Sequence, residues 1–104
     1  MELREINANF EQLRQQAQRL EEIAADIKRL TDRQLEPTIQ EMAACWSGET
    51  ASVYFRKADL VKQDIVKTAR FLNEAAESVR VQAKRIYDAE TQAVTLTQTN
   101  STNH

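Results

Sequence analysis

Residues that interrupt helices or build reactive sites are nearly missing from this chain, which has one glycine, one proline, one cysteine and one histidine in 104 residues. With Cys45 alone, no disulfide can form within the chain. Beside Trp46 such a free thiol is expected to be a small buried filler, a redox or intermolecular role being the alternative. The lone histidine is His104, at the end of a polar stretch, so no imidazole stands in the apolar-patterned sequence as a base for Cys45. Glycine-rich phosphate loops and His/Cys clusters for zinc are absent too, and carboxylate pairs such as Glu21 with Glu22 belong to exposed helix faces. The composition points away from an enzyme: no catalytic, cofactor-binding or metal-binding residue is assigned. No apolar run approaches the roughly 20 residues that a membrane-spanning helix needs, so stable membrane insertion is not expected. The opening Met1-Glu2-Leu3-Arg4-Glu5 lacks the basic and apolar regions of a secretory leader, so any export is expected without a cleavable signal peptide.

What is present is an ordinary globular balance, 29% charged and 41% hydrophobic with a net charge of -2, enough for a single domain. Residues 1–45 carry 6 basic and 9 acidic side chains and residues 46–104 carry 8 and 7, so neither half has the positive surplus that nucleic acid requires. Arg80, Lys84 and Arg85 do cluster, but Glu77, Asp88 and Glu90 interrupt them, which describes a solvated helix face. The mixed polar faces also lack the Lys/Arg enrichment of helices that perturb membranes.

Apolar residues recur at Leu3, Ile6, Phe10, Leu13, Ala17, Leu20, Ala24 and Ile27, a heptad seam that Ile23 and Leu30 widen. Pro37 should kink the helix near residues 34–37, after which Ile39 and Met42 resume it. In the second half Ala58, Val61, Ile65, Thr68, Leu72, Ala75, Val79, Gln82, Ile86, Ala89 and Ala93 step by three and four. Between the two runs stand Trp46, Ser47 and Gly48, holding the sole tryptophan and the sole glycine, so the chain is expected to reverse there. The reading is an all-α, antiparallel helix-turn-helix hairpin over 1–94: helix one at about 4–45, turn 46–49, helix two at about 50–94. The threonine-rich stretch 95–104 reads as a flexible polar tail. Each helix would be about 60 Å long at 1.5 Å per residue, and a hairpin that thin leaves the flanks of both stripes uncovered. Dimerisation into a four-helix bundle would cover them. The candidate interface residues are Phe10, Leu13, Leu20, Ile27, Tyr54, Phe55, Val61, Ile65 and Leu72.

A helical hairpin of about this length with Trp-X-Gly at its turn resembles the WXG family of ESAT-like proteins, small substrates of the type VII secretion systems of Gram-positive bacteria and mycobacteria. Trp46-Ser47-Gly48 supplies the motif, Tyr54 with Phe55 beside it matches the family's aromatic about two turns later, and the likeness runs from Ile6 to Ala93. The resemblance implies a non-enzymatic protein made in the cytoplasm, exported folded as a homodimer or as a heterodimer with a paralogous WXG protein, recognised by the secretion ATPase and associated with virulence. It also implies a signal after helix two, a tyrosine followed four residues later by an acid. Here Tyr87 is followed at that position by Thr91, with Asp88 and Glu90 nearby. A divergent signal and a signal supplied by the partner both remain open, as does a purely packing role for Tyr87 beside Ile86. Trp46 likewise either plugs the end of the bundle or joins the Tyr87 region of a partner helix in a composite surface, which an antiparallel dimer would assemble. The alternative function is an adaptor or chaperone that pairs its stripe with the helical N-terminal segment of a larger secreted toxin.

Overall fold

The computed structural model describes residues 2–102, with side chains as far as Gln98, and all of those residues but Glu2 and Trp46–Gly48 are helical, with no strand among them. Helix α1 is Leu3–Leu30, α2 is Glu36–Cys45 and α3 is Glu49–Thr102. The seam explains α1, and its ends are charged to suit the helix dipole: Glu5 lies in the first turn, Lys28 and Arg29 in the last. On its outer face Arg14 bonds Glu11 at 3.0 Å and Arg29 bonds Asp26, each one turn apart and exposed.

Helicity does not break between α1 and α2. Thr31–Leu35 forms a π-helical turn in which the Glu36 N–H reaches back five residues to the Thr31 carbonyl. Leu30, Leu35 and Glu36 all keep right-handed helical angles. Pro37 follows in the first turn of α2, so its missing N–H falls directly after the widened turn, where the regular four-residue hydrogen-bond ladder is already interrupted. The irregularity expected at the proline is thus a widened turn just upstream of it.

After Cys45 the backbone of Trp46 is extended, with φ -129° and ψ 124°, and Gly48 takes φ +106°. That angle is why the residue is glycine, since a side chain there would crowd its own backbone. The Gly48 carbonyl accepts the Ser52 N–H and the Ser52 hydroxyl, both at 3.1 Å, which opens α3 with Glu49 in its first turn.

The chain divides into two compact units. In the first, Glu21–Asn73, the end of α1, the π turn, α2 and the start of α3 bury Ala24, Thr31 and Ala51. The Thr31 hydroxyl donates to the Ile27 carbonyl at 3.0 Å, so this buried polar group is satisfied. The second unit joins residues up to Leu20 with those from Glu74 onward and buries Ile6, Ala17, Ala76 and Ala83. Alanine at these positions lets helix backbones approach closely, but it buries little apolar area per residue. Ile6 is the largest side chain fully buried, whereas Ile23, Leu30, Val61, Val66, Phe71 and Ile86 are exposed.

Three expectations need correction. On α3 the buried or half-buried positions are Ala51, Phe55, Ala58, Lys62, Ile65, Ala69, Leu72, Ala75, Ala76, Val79, Arg80, Ala83, Tyr87, Glu90, Thr91 and Val94. Six members of the expected seam therefore lie outside it, each one residue before an inward position: Val61 and Ile86 are 51% and 48% exposed, and Thr68, Gln82, Ala89 and Ala93 also face outward. The stripe is wide enough for either register, and in the one seen the small side chains of Ala76 and Ala83 are fully buried. Helix α3 also runs through residues 95–102 where a tail was expected. No proline or glycine stops it, and extending an existing helix is easy. The Thr95 and Thr97 hydroxyls bond the carbonyls one turn back at 3.0 and 2.9 Å; residues 103 and 104 of the expected tail lie outside the described residues. Cys45, finally, is exposed rather than buried, its thiol lying 3.3 Å from the Glu41 carbonyl.

Candidate recognition surface at the turn

The extended backbone at Trp46 folds its indole back onto the first turns of α3. Its ring centroid lies 5.4 Å from that of Tyr54, tilted at 35°, and 5.8 Å from that of Phe55, edge-on at 71°. Both geometries suit the quadrupoles of aromatic rings. Lys57 adds its ammonium 5.9 Å from the Tyr54 ring centre, the outer limit of a cation–π contact. Within this chain Trp46 is still 37% exposed and Tyr54 55%, so the rings form an aromatic platform that is open on its outer side. Ser47 and Gly48 are exposed beside it, as is every residue from 41 to 50.

An ion pair that the sequence pattern missed links α2 to α3. The Lys62 ammonium donates to the Glu36 carboxylate and lies 3.9 Å from Asp59, while Gln40 donates to Glu36 at 3.4 Å. The hydrogen bond from Lys62 holds the Glu36 carboxyl below the usual value for glutamate, and the same bond raises Lys62. Asp59 and Lys62 are one turn apart on α3, whereas Glu36 reaches Lys62 only through the fold.

The second predicted group lies in the other unit. Tyr87 points inward and stacks on Phe10, with centroids 4.7 Å apart and a 35° tilt. Tyr87 and Ile86 thus exchange the places expected of them, the tyrosine in the seam and the isoleucine outside. Glu90 lines the same groove as Tyr87, with Ile6, Phe10 and Leu13. Asp88 does not join them: it is exposed and bonded to Lys84 at 2.9 and 3.0 Å.

Among the interface candidates, Phe10, Leu13, Leu20, Ile27, Phe55, Ile65 and Leu72 are half-buried against the chain's own helices, and Tyr54 and Val61 are exposed. No three His, Cys, Asp or Glu side chains among the described residues converge to hold a metal ion. No helix among those residues is long and apolar enough to cross a membrane.

Comparison with known proteins agrees with this geometry. The family model WXG100, "Proteins of 100 residues with WXG", matches residues 5–91, which takes in nearly all of α1, all of α2, the turn and most of α3. No curated protein and no solved structure gives a match. With Trp46-Ser47-Gly48 at the reversal between its helices, the chain belongs to the WXG100 family of small, helical, ESAT-like proteins, a membership that implies type VII secretion.

Proposed function

We propose that this chain is exported folded, as a helical dimer, by a type VII secretion system, and serves without enzymatic activity as a secreted effector or co-export partner. In this reading the platform of Trp46, Tyr54 and Phe55 is part of what the secretion ATPase recognises. The observation that carries it is the position of Trp46: stacked on two rings, yet more than a third exposed at the turn. A ring kept for packing alone would be covered, whereas Trp and Tyr held rigidly at a surface are the side chains that anchor interfaces. Dimerisation is supported by the thin alanine core and the large apolar side chains left outside it.

Trp46→Ala should leave the helices folded and hold the protein in the producing cell, while Lys57→Ala, at the edge of the platform, should be exported. Export of Trp46→Ala at the unmodified level refutes recognition through the platform. Sedimentation of the purified chain at micromolar concentration tests the dimer, and a folded monomer there would refute a homodimer. The adaptor reading draws on one observation, Thr91 standing where the family's acid would follow Tyr87, its hydroxyl buried without a hydrogen-bond partner. Capture of the helical N-terminal segment of a larger toxin encoded beside this chain, in preference to a second copy, would favour that alternative.

A further inference from the structure

We infer that the π-helical turn Thr31–Leu35 absorbs one surplus residue in an otherwise heptad helix, and that this phase correction aims Trp46 at Tyr54 and Phe55. The inference stands whether or not the platform is read by the secretion machinery.

Counting along the seam shows the surplus. From Ala24 to Thr31 is seven residues, from Thr31 to Ile39 eight, and from Ile39 to Trp46 seven again. The companion row behaves alike: Leu20 to Ile27 is seven, Ile27 to Leu35 eight, Leu35 to Met42 seven. Each residue turns an α-helix by about 100°, so continuing α1 without correction would carry Leu35, Ile39 and Met42 that far off the face packed on α3. It would bring Gln34, Thr38, Glu41 and Cys45 inward instead. As far as Ile39 the structure shows the opposite, with Leu35 and Ile39 half-buried and Gln34 and Thr38 exposed; beyond it Met42 is exposed like Glu41 and Cys45.

The eight-residue steps coincide with the turn whose hydrogen bond spans five residues rather than four, from the Glu36 N–H to the Thr31 carbonyl. One wider turn takes up one extra residue with little net rotation. Glu36, the next residue, is then in place to pair with Lys62, and Trp46 arrives over the rings of α3. Sequence period, burial and backbone bonding therefore agree on the position of the surplus residue.

The consequence reverses the ordinary rule for deletions. Removing one residue from a helix rotates everything beyond it and should ruin packing, yet removing exposed Asp32 should convert the π turn to α-helix and restore unbroken heptads. The test compares full chains lacking either Asp32 or Gln15, both exposed and both within the first helical run. Thermal melting is followed by circular dichroism, with Trp46 emission recorded in parallel. The chain without Asp32 is expected to melt within about 5 °C of the parent, roughly the shift of 1 kcal/mol in a domain this size, and to keep the parent emission maximum. Loss of Gln15 should abolish cooperative melting or lower the midpoint several-fold further. Inserting an alanine after Asp32 should shift Trp46 emission to the red by uncoupling it from Tyr54 and Phe55. The inference is overturned if loss of Asp32 is as damaging as loss of Gln15, if both deletions are tolerated, or if the insertion leaves the emission unchanged.

Discussion

Replacing Gly48 by alanine isolates what the glycine of the Trp-X-Gly motif contributes. At φ +106° an L-residue crowds its own backbone, a cost of about 1–2 kcal/mol. A Cβ built there meets nothing within 4 Å, so no packing clash adds to the backbone term. Because about 1 kcal/mol shifts the melting midpoint of a domain this size by roughly 4–8 °C, Gly48→Ala should melt some 4–16 °C lower. Gly48→Asn should recover part of the loss, since asparagine visits left-handed angles more readily than alanine. Melting followed by circular dichroism measures this, with all variants at one protein concentration because association raises the midpoint by mass action. An unchanged midpoint for Gly48→Ala would show that the positive angle is not required. A loss equal in alanine and asparagine, or well beyond 16 °C, would show instead that another group needs the space beside Gly48.

The register of α3 can be tested by adding the same side chain at adjacent positions. Ala83→Leu enlarges a residue only 2% exposed and should cost about 1–3 kcal/mol by overpacking, whereas Gln82→Leu, on the exposed side, should stay within about 0.5 kcal/mol. The reverse ranking in chemical denaturation would restore the register read from spacing alone. The pair of Glu36 and Lys62 predicts a pH dependence at both ends. Glu36 titrates below its usual value, so its contribution is present above the ordinary glutamate pKa and is lost as pH falls through the lowered one. Lys62 titrates above its usual value, so its contribution is present below the ordinary lysine pKa and is lost as pH rises through the raised one. Glu36→Gln should therefore flatten both limbs of a stability–pH profile in low salt, and a profile identical to the parent would show that the pair contributes nothing.

Much of α1 was legible because both of its determinants are local. Ile6, Ala17 and Ala24 lie inside as spacing required, and the positive φ at Gly48 follows from the one residue able to adopt it cheaply. The register of α3 was not, because its apolar stripe is wide and both Val61 and Lys62 adjoin the seam. Lysine in place of valine on the inward side makes sense only once Glu36 is opposite it. Tyr87 escaped for the same reason, its inward position depending on Phe10 some 77 residues earlier. The π turn was written in the seven, eight, seven spacing but invisible to a search for prolines, which pointed at Pro37.

The sequence by itself determined that this is a helical chain with one reversal at Trp46-Ser47-Gly48, because helix period, the scarcity of breakers and a lone glycine act within a few residues of one another. Tertiary structure alone decided which side of each stripe is used. Where two registers bury comparable apolar groups, the choice falls to the shape of the opposing helix: how closely alanines let it approach, which charge it offers Lys62, and where it leaves Trp46 standing on Tyr54 and Phe55.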